Sequence, residues 1–355
     1  MKVLVAPGVL LLILLSACAF NPLAAAYSPL STLPPPSIAG LAPTIAPPAP
    51  VVTATIQRVT PVAIPPTTIP ERSPTPTAQP CAVQACIRAA EHFWLERPIP
   101  IAPEYQYWID QTYPYGSTQD GQREPHHGGE FVNPAGTPIL AAADGTVVVS
   151  GDDGNTLYGP VPNFYGNLVV VQLDQTYRGQ PVFTPNGHMS RIDVSVGHRV
   201  KAGDQLGAVG QTGIAIGPHT HFEVRIGRND YYSTRNPELW LKPLLYNGKP
   251  WGALAAQVVD SAGNPLPELT VVIRSVEIDF DRPIVRYLKT YAAEALNGDD
   301  VLQEDFALTD LPLGTYIVSV KTTRLYRQTI TIESGRLAWV TFTVEPPLLS
   351  ATRTP

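Results

Sequence analysis

Histidines are the side chains whose positions in this sequence point most clearly to chemistry. Five of the seven histidines fall in three short clusters, His126-His127, His188 and His219-Thr220-His221. A neutral imidazole can bind a metal ion, and the same ring can accept or donate a proton near neutral pH. The clusters therefore indicate either a metal site or an acid/base site.

The last of these clusters lies in a run that is predicted to be a β-strand. Phe222, Val224 and Ile226 alternate with polar residues, which is typical of a half-buried strand. Side chains two positions apart on a strand share a face, so we expect His219 and His221 to point to the same side. Glu223 shares that face, where it either supports a histidine or is an ordinary surface residue.

The first cluster precedes a carboxylate at a spacing that suits a metal site. In His126-His127-Gly128-Gly129-Glu130 a histidine nitrogen is followed four residues later by a carboxylate. Zinc binds both kinds of ligand, and two histidines with one carboxylate leave the open fourth position of a catalytic zinc site. This spacing is a weak signal alone, but it becomes a strong one beside a His-x-His strand.

Several further motifs accompany these residues in a characteristic order. They are Ala142-Ala143-Asp144-Gly145-Thr146-Val147, Gly187-His188-Met189-Ser190, Val200-Lys201-Ala202-Gly203-Asp204 and Gly217-Pro218-His219-Thr220-His221-Phe222-Glu223-Val224-Arg225. With these motifs the chain resembles the lysostaphin/LytM family of zinc endopeptidases, whose pattern is His-x-x-x-Asp, a later isolated His, and a final His-x-His.

The resemblance implies a role for each of these residues. His126, Glu130 and His221 would bind Zn²⁺, His219 would act as general base or orient the attacking water, and His188 would stabilise the tetrahedral intermediate. The implied function is a zinc metalloendopeptidase that hydrolyses peptide cross-links of bacterial peptidoglycan in cell-wall remodelling. Its implied partners are the stem and cross-bridge peptides of peptidoglycan.

One departure and two alternatives accompany this interpretation. The family has Asp where this chain has Glu130, whose extra methylene requires the backbone or the rotamer to adjust; carboxylates of both lengths bind zinc. His127 is an alternative ligand to His126, although it breaks the four-residue spacing. The alternative function is a catalytically weak or inactive module that binds peptidoglycan or regulates another hydrolase.

The N-terminal part of the chain reads as a targeting signal and a tether. Residues 1–18 resemble a lipoprotein signal peptide, in which the lipobox Leu15-Ser16-Ala17-Cys18 would place the lipid on Cys18. An ordinary cleaved signal or a short membrane anchor remains the alternative. Residues 19–80 contain 16 of the 39 prolines, which predicts a disordered, extended tether. The expected location is extracytoplasmic, with the protein lipid-anchored to the membrane and facing the cell wall or periplasm.

The folded part is predicted to be mainly β. Residues 81–97 are predicted to form a short helix in which Cys81 and Cys86 can pair as a disulfide. Residues 98–247 are predicted to form an antiparallel β-sheet peptidase domain of the lysostaphin type. Residues 250–346 resemble a carboxypeptidase-regulatory-like (transthyretin-like) β-sandwich, without a catalytic constellation, and residues 347–355 are expected to be a disordered tail.

The net charge and the remaining histidine and aromatic residues give further expectations about partners and about minor candidate residues. The net charge of −6 and the absence of a basic stripe argue against nucleic-acid binding, and a monomer is expected. His92 and His198 are expected to be structural and exposed, respectively. Five aromatic residues precede the first histidine cluster, and they either pack over the sheet or contact substrate. They are Tyr105, Tyr107, Trp108, Tyr113 and Tyr115.

Overall fold

The structure is a computed structural model that describes residues 85–88, 92–276, 283–292 and 296–347. All of them belong to the second of two compact units of the chain, Ile69–Pro355. The predicted signal peptide and tether, Cys18, Cys81 and almost all of the predicted tail lie outside these residues. Within them, no helix has the length and apolar character needed to span a membrane.

The described residues form β-sheet almost throughout, which confirms the predicted fold class. The first strands are β1 (Ala85–Arg88), β2 (Gly129–Val132), β3 (Pro138–Leu140), β4 (Gly145–Asp152), β5 (Asn167–Leu173), β6 (Val182–Gly187), β7 (Arg191–Ile192), β8 (Arg199–Val200), β9 (Gln205–Ala208), β10 (His219–Phe222), β11 (Val224–Ile226) and β12 (Thr234–Arg235). Two 3₁₀ helices, Tyr231–Ser233 and Pro237–Leu239, lie on either side of β12. The later strands are β13 (Leu245–Tyr246), β14 (Lys249–Pro250), β15 (Gly252–Val259), β16 (Thr270–Ser275), β17 (Val285–Lys289), β18 (Phe306–Leu311), β19 (Gly314–Lys321), β20 (Leu325–Ile332) and β21 (Leu337–Thr343).

The largest sheet, which we call the histidine sheet, carries the histidine clusters. Its strands run in the order β12-β11-β6-β5-β4-β8, and β10 joins it by pairing with both β2 and β6. Strand β5 lies near the centre and is apolar on both faces: Val169 and Val171 pack in the main core, whereas Leu168 and Val170 pack in a second, smaller cluster. A strand buried on both faces reads as a continuous apolar run, as β5 does.

Two further sheets pack face to face and form what we call the C-terminal sandwich. One has the order β1-β21-β15-β18, and the other has the order β17-β16-β19-β20. Alternate residues of each strand point into the shared core, such as Leu254 and Val258 from β15 and Val271 and Ile273 from β16. The pairing of β15 with β21 is parallel, and the other pairings within these two sheets are antiparallel.

The helix predicted for residues 81–97 is wrong for the part that the structure describes. Ala85–Arg88 form β1, which pairs antiparallel with β21, and residues 92–97 contain no helix. Local spacing favours a helix only weakly, and a free sheet edge offers a full set of backbone hydrogen bonds that outweighs it. Cys86 lies in β1 but Cys81 lies outside the described residues, so the disulfide stays a prediction.

Buried polar side chains join the region of the histidine sheet to the C-terminal sandwich. Arg97 donates to Asp310 at 2.8 Å, and the Glu238 carboxylate accepts a hydrogen bond from the Thr309 backbone amide at 2.9 Å. Glu238 is almost completely buried. Burial, assisted by the nearby Asp310 charge, raises the pKa of Glu238 from 4.5 to about 7.

This raised pKa predicts that stability falls as the pH rises. Between pH 4.5 and about 7 the folded state holds a proton on Glu238 that the unfolded state has lost. The contribution to the free energy of unfolding is therefore fully present below pH 4.5 and is lost as the pH rises through about 7, by at most about 1.4 kcal/mol per pH unit. Urea unfolding at about pH 5 and about pH 8 measures this loss.

The Glu238→Gln variant should show a smaller loss of stability than the wild type over the same interval. The substituted amide keeps an acceptor for the Thr309 backbone amide but cannot ionise. Glu333→Gln is the matched control, because Glu333 is an exposed carboxylate on the same molecule. An identical pH dependence in Glu238→Gln and wild type would contradict the prediction.

Candidate metal centre

Strand pairing places Glu130 and His221 side by side. Strand β10 pairs antiparallel with β2 in a register that sets His221 opposite Glu130 and His219 opposite Val132. Directly opposite residues in an antiparallel pair project to the same face. The carboxylate and the two histidines of β10 therefore share one face, as the alternation in the sequence predicts.

His126 completes a group of three metal-binding side chains. Its Nε2 lies 3.2 Å from Nδ1 of His221 and 3.5 Å from Oε1 of Glu130. The three ligand atoms all lie within 4.8 Å of one another. Both histidines are buried, and 19% of the Glu130 side chain is exposed. The group is thus enclosed on the protein side and open toward solvent at the carboxylate.

The chain approaches His221 closely at Gly128, between the two N-terminal members of the group. A Cβ atom at this position would lie 2.7 Å from Nε2 of His221 and 2.6 Å from the carbonyl oxygen of Phe222. Both distances are shorter than a side chain tolerates. Glycine at position 128 is therefore required for His126 and Glu130 to reach the face of β10.

A buried carboxylate fixes the tautomer of His221. Glu223 is fully buried, and its Oε1 accepts hydrogen bonds from His221 Nε2 at 3.0 Å and from the Tyr165 hydroxyl at 2.5 Å. Because a carboxylate only accepts, the proton of His221 is on Nε2. The lone pair is then on Nδ1, the atom that faces His126 and can bind a metal ion.

Arg225 keeps this carboxylate charged. Its Nε donates to Glu223 Oε2 at 2.7 Å, and its Nη2 donates to the Tyr165 hydroxyl at 2.8 Å. Burial alone would raise the pKa of Glu223, but Arg225 and His221 lower that pKa well below its usual value. Glu223 is therefore an anion at neutral pH and not the surface residue that one interpretation of the sequence allowed.

His188 and His219 form a second pair beside the first group. Their ring centroids lie 4.7 Å apart. Nδ1 of His188 donates to the Thr212 carbonyl oxygen at 2.8 Å, and Nδ1 of His219 donates to the Gly217 carbonyl oxygen at 3.0 Å. A carbonyl only accepts, so each neutral ring has its lone pair on Nε2. Burial lowers the pKa of both histidines, that of His188 to about 3.

Nε2 of His219 faces the group of three. It lies 3.5 Å from Oε1 of Glu130 and is a buried atom without a hydrogen-bond partner among the described residues. His188 follows β6 with a φ of 62°, a left-handed conformation that is uncommon outside glycine and is often found at functional sites. Two proton acceptors therefore stand next to a set of metal ligands.

The other histidines have different surroundings. Nδ1 of His127 contacts the Thr234 hydroxyl at 2.9 Å and its ring stacks on Tyr231, so the structure groups His126, and not His127, with Glu130. His92 is buried, stacks on Trp240 and lies 3.4 Å from Asp299. His198 is exposed.

The donor set fits a zinc ion. Two neutral imidazole nitrogens, one carboxylate oxygen and an open side are the ligands that zinc takes in catalytic sites. Nε2 of His126 lies 3.2 Å from Nδ1 of His221, and a neutral His126 that carries its proton on Nδ1 would direct a second lone pair to the same place. The side chains that hold Zn²⁺ would be His126, Glu130 and His221, with Glu223 behind His221.

Comparison with known proteins agrees with this geometry. Residues 124–233, somewhat less than a third of the chain, match the model of Peptidase family M23. Peptidoglycan DD-endopeptidase ShyA of Vibrio cholerae serotype O1 is 27% identical over 197 residues, 53% of this chain and 38% of ShyA. Peptidoglycan DD-endopeptidase ShyC of the same organism is 39% identical over 103 residues, 29% of this chain and 21% of ShyC. The chain thus aligns with well under half of either relative.

Part of the chain is also similar to a solved structure. The catalytic domain of the antimicrobial peptidase lysostaphin from Staphylococcus simulans is 26% identical, with a TM-score of 0.29, over 37% of this chain and 86% of that domain.

Replacing the carboxylate behind His221 should weaken metal binding. Glu223→Gln removes the anion that holds the His221 tautomer, and the loss of such outer contacts typically lowers metal affinity about 10–100-fold. It also leaves Arg225 without its carboxylate partner, at a cost of about 3 kcal/mol in the free energy of unfolding. Competition with a chelator for Zn²⁺ and urea unfolding measure the two effects.

Glu238→Gln is the control for this variant, because it neutralises another almost fully buried carboxylate outside the metal group. It should keep the Zn²⁺ affinity of the wild type. Equal loss of affinity in both variants would show that Glu223 acts on overall stability and not on His221.

Proposed function

We propose that the protein is a zinc metalloendopeptidase that hydrolyses peptide cross-links of bacterial peptidoglycan. The observation that carries this proposal is the group His126, Glu130 and His221 with the His188–His219 pair at its open side. The peptidoglycan DD-endopeptidases that the M23 region resembles support the choice of substrate.

When bound, zinc supplies Lewis acidity that polarises a carbonyl group and makes water a stronger nucleophile at neutral pH. His219 accepts a proton from the attacking water at Nε2, because its Nδ1–H is held by the Gly217 carbonyl. The same nitrogen then returns the proton to the leaving amine. His188 keeps its Nδ1–H on the Thr212 carbonyl oxygen. Negative charge that develops on the substrate oxygen would raise the low pKa of His188, so that Nε2 takes up a proton from solvent and donates a hydrogen bond to that oxygen.

Glutamate at position 130 is compatible with a ligand role. Its Oε1 lies 3.5 Å from Nε2 of both His126 and His219, so the longer side chain still brings an oxygen to the group. A wall-binding module without catalysis would not need the base at His219 or the tautomer control at His221. The geometry therefore favours the enzyme over the inactive module.

The wider setting belongs to the same proposal. Lipidation at Cys18 would anchor the protein outside the cytoplasm, and residues 19–80 would let the enzyme reach the wall. We propose that residues 98–247 form the peptidase domain and residues 250–346 form the β-sandwich. The whole protein would act in cell-wall remodelling as a monomer.

Digestion of purified sacculi by the zinc-loaded protein tests this function. Mass spectrometry should find new peptide termini with the wild type. His221→Ala should lose both zinc and cleavage, whereas His219→Ala should keep zinc and lose cleavage by about 10²–10⁴-fold, the contribution of general acid–base catalysis. His198→Ala, which alters an exposed histidine, should cleave as the wild type does.

Two outcomes would contradict the proposal. Zinc bound by the wild type without cleavage of any wall type would favour the binding module. Cleavage that persists in His221→Ala would place the chemistry elsewhere in the chain.

A further inference from the structure

The three metal-binding side chains are not positioned by the same part of the molecule. Glu130 and His221 lie on paired strands of one sheet. His126 lies before β2 begins at Gly129, in an irregular segment of residues 110–126 that we call the His126 loop. The sheet register therefore sets two of the three ligands, and contacts of the His126 loop must set the third.

Within the His126 loop, backbone hydrogen bonds join His126 to residues 116 and 117. The amide of Gly116 donates to the His126 carbonyl oxygen at 2.8 Å, and the amide of His126 donates to the Ser117 carbonyl oxygen at 3.0 Å. The ring of Tyr113 stacks on the His126 ring with centroids 4.2 Å apart. Any displacement of residues 113–117 is thus transmitted to His126.

Those residues rest on the C-terminal sandwich. Tyr115 is buried in the core of the sandwich and not in that of the histidine sheet. Its hydroxyl donates to the Asn297 carbonyl oxygen at 3.1 Å, with the Thr234 carbonyl oxygen at 3.2 Å as a second acceptor. Its ring meets Tyr291 edge to face, with centroids 5.1 Å apart. The sandwich therefore holds the loop by both packing and hydrogen bonds.

Gly116 is the point of closest approach. Its carbonyl oxygen accepts a hydrogen bond from the Ala292 amide at 3.1 Å. A Cβ atom here would lie 2.4 Å from Cδ1 of Tyr291, and the φ of Gly116 is 82°, which favours glycine. The backbone that bonds to His126 is thus in direct contact with the sandwich.

Polar contacts extend this attachment along the loop. Thr118 donates to Glu268 at 2.8 Å, and Lys289 of β17 forms an ion pair with Asp120. Asn297 donates from Nδ2 to the Thr234 carbonyl oxygen at 3.2 Å, while the Thr234 hydroxyl contacts His127. The sandwich thus contacts the His126 loop and also Thr234, the residue that contacts His127.

We propose that the C-terminal sandwich is part of the metal centre, in that Tyr115, Tyr291 and Asn297 are positioning residues that hold His126 against Glu130 and His221. The inference rests on the proposed function, because it concerns the same zinc site. It gives the sandwich a role in catalysis beyond that of a spacer. The M23 region of this chain then requires the sandwich for a complete site.

Two matched pairs of variants test the proposal in the full chain. Gly116→Ala introduces a methyl group against Tyr291, whereas Gly121→Ala adds the same group in the same loop at a similar φ of 76° with nothing within 4 Å. Tyr115→Phe deletes the hydroxyl that contacts Asn297, whereas Tyr316→Phe deletes a buried hydroxyl elsewhere in the sandwich. The probes are Zn²⁺ affinity and the ligand-field spectrum with Co²⁺.

Gly116→Ala and Tyr115→Phe should weaken Zn²⁺ binding about tenfold or more, as losses of outer contacts to a metal site do, and the two controls should stay within about twofold of wild type. The Co²⁺ band should shift in the first two variants as the His126 nitrogen moves away. General destabilisation would instead leave the band position of the folded fraction unchanged. If Gly116→Ala does not fold, the tyrosine pair decides.

The failures of the two proposals are distinguishable. If Tyr115→Phe and Tyr316→Phe bind Zn²⁺ with equal affinity, while the wild type binds zinc and cleaves sacculi, only the positioning role is overturned. Wild-type protein that binds no Zn²⁺ would overturn the proposed function and, with it, this inference.

Discussion

The buried negative charge of Glu223 constrains much of the candidate site. An isolated buried carboxylate is strongly unfavourable and would take up a proton. Glu223 stays ionised because Arg225, Tyr165 and His221 all donate to it. The bond to His221 then decides which imidazole nitrogen is available to a metal ion. The four side chains form a network in which the loss of any member leaves another buried polar group unsatisfied.

The network also explains how the surrounding strands must be arranged. Tyr165 precedes β5, whereas His221, Glu223 and Arg225 lie on or between β10 and β11. The strands β10 and β11 are interrupted at Glu223, and both pair with β6. Strand β6 in turn pairs with β5. The sheet thus brings together residues that are distant in sequence around a charge that none of them could hold alone.

The sequence predicted the parts of this arrangement that depend on local periodicity. The shared face of His219 and His221 follows from the two-residue repeat of a strand, and His126 and Glu130 follow from spacing between ligand types. It did not predict the burial of Glu223, because the partner Tyr165 lies far away along the chain and is joined to it only by the fold. It also predicted a helix where β1 forms, because the edge of β21 that β1 occupies is formed by residues near the other end of the chain. The contacts between the sandwich and Tyr115 likewise join residues that are far apart in the sequence.

Strand β1 has a mechanical consequence. The chain enters the described fold through β1, a four-residue strand held by its pairing with β21 at the edge of the sandwich. If the residues before β1 are pulled away from the rest of the protein, tension reaches this short ladder before it reaches the histidine sheet. The four residue pairs between β1 and β21 are fewer than the seven between β4 and β5, so β1 would detach first.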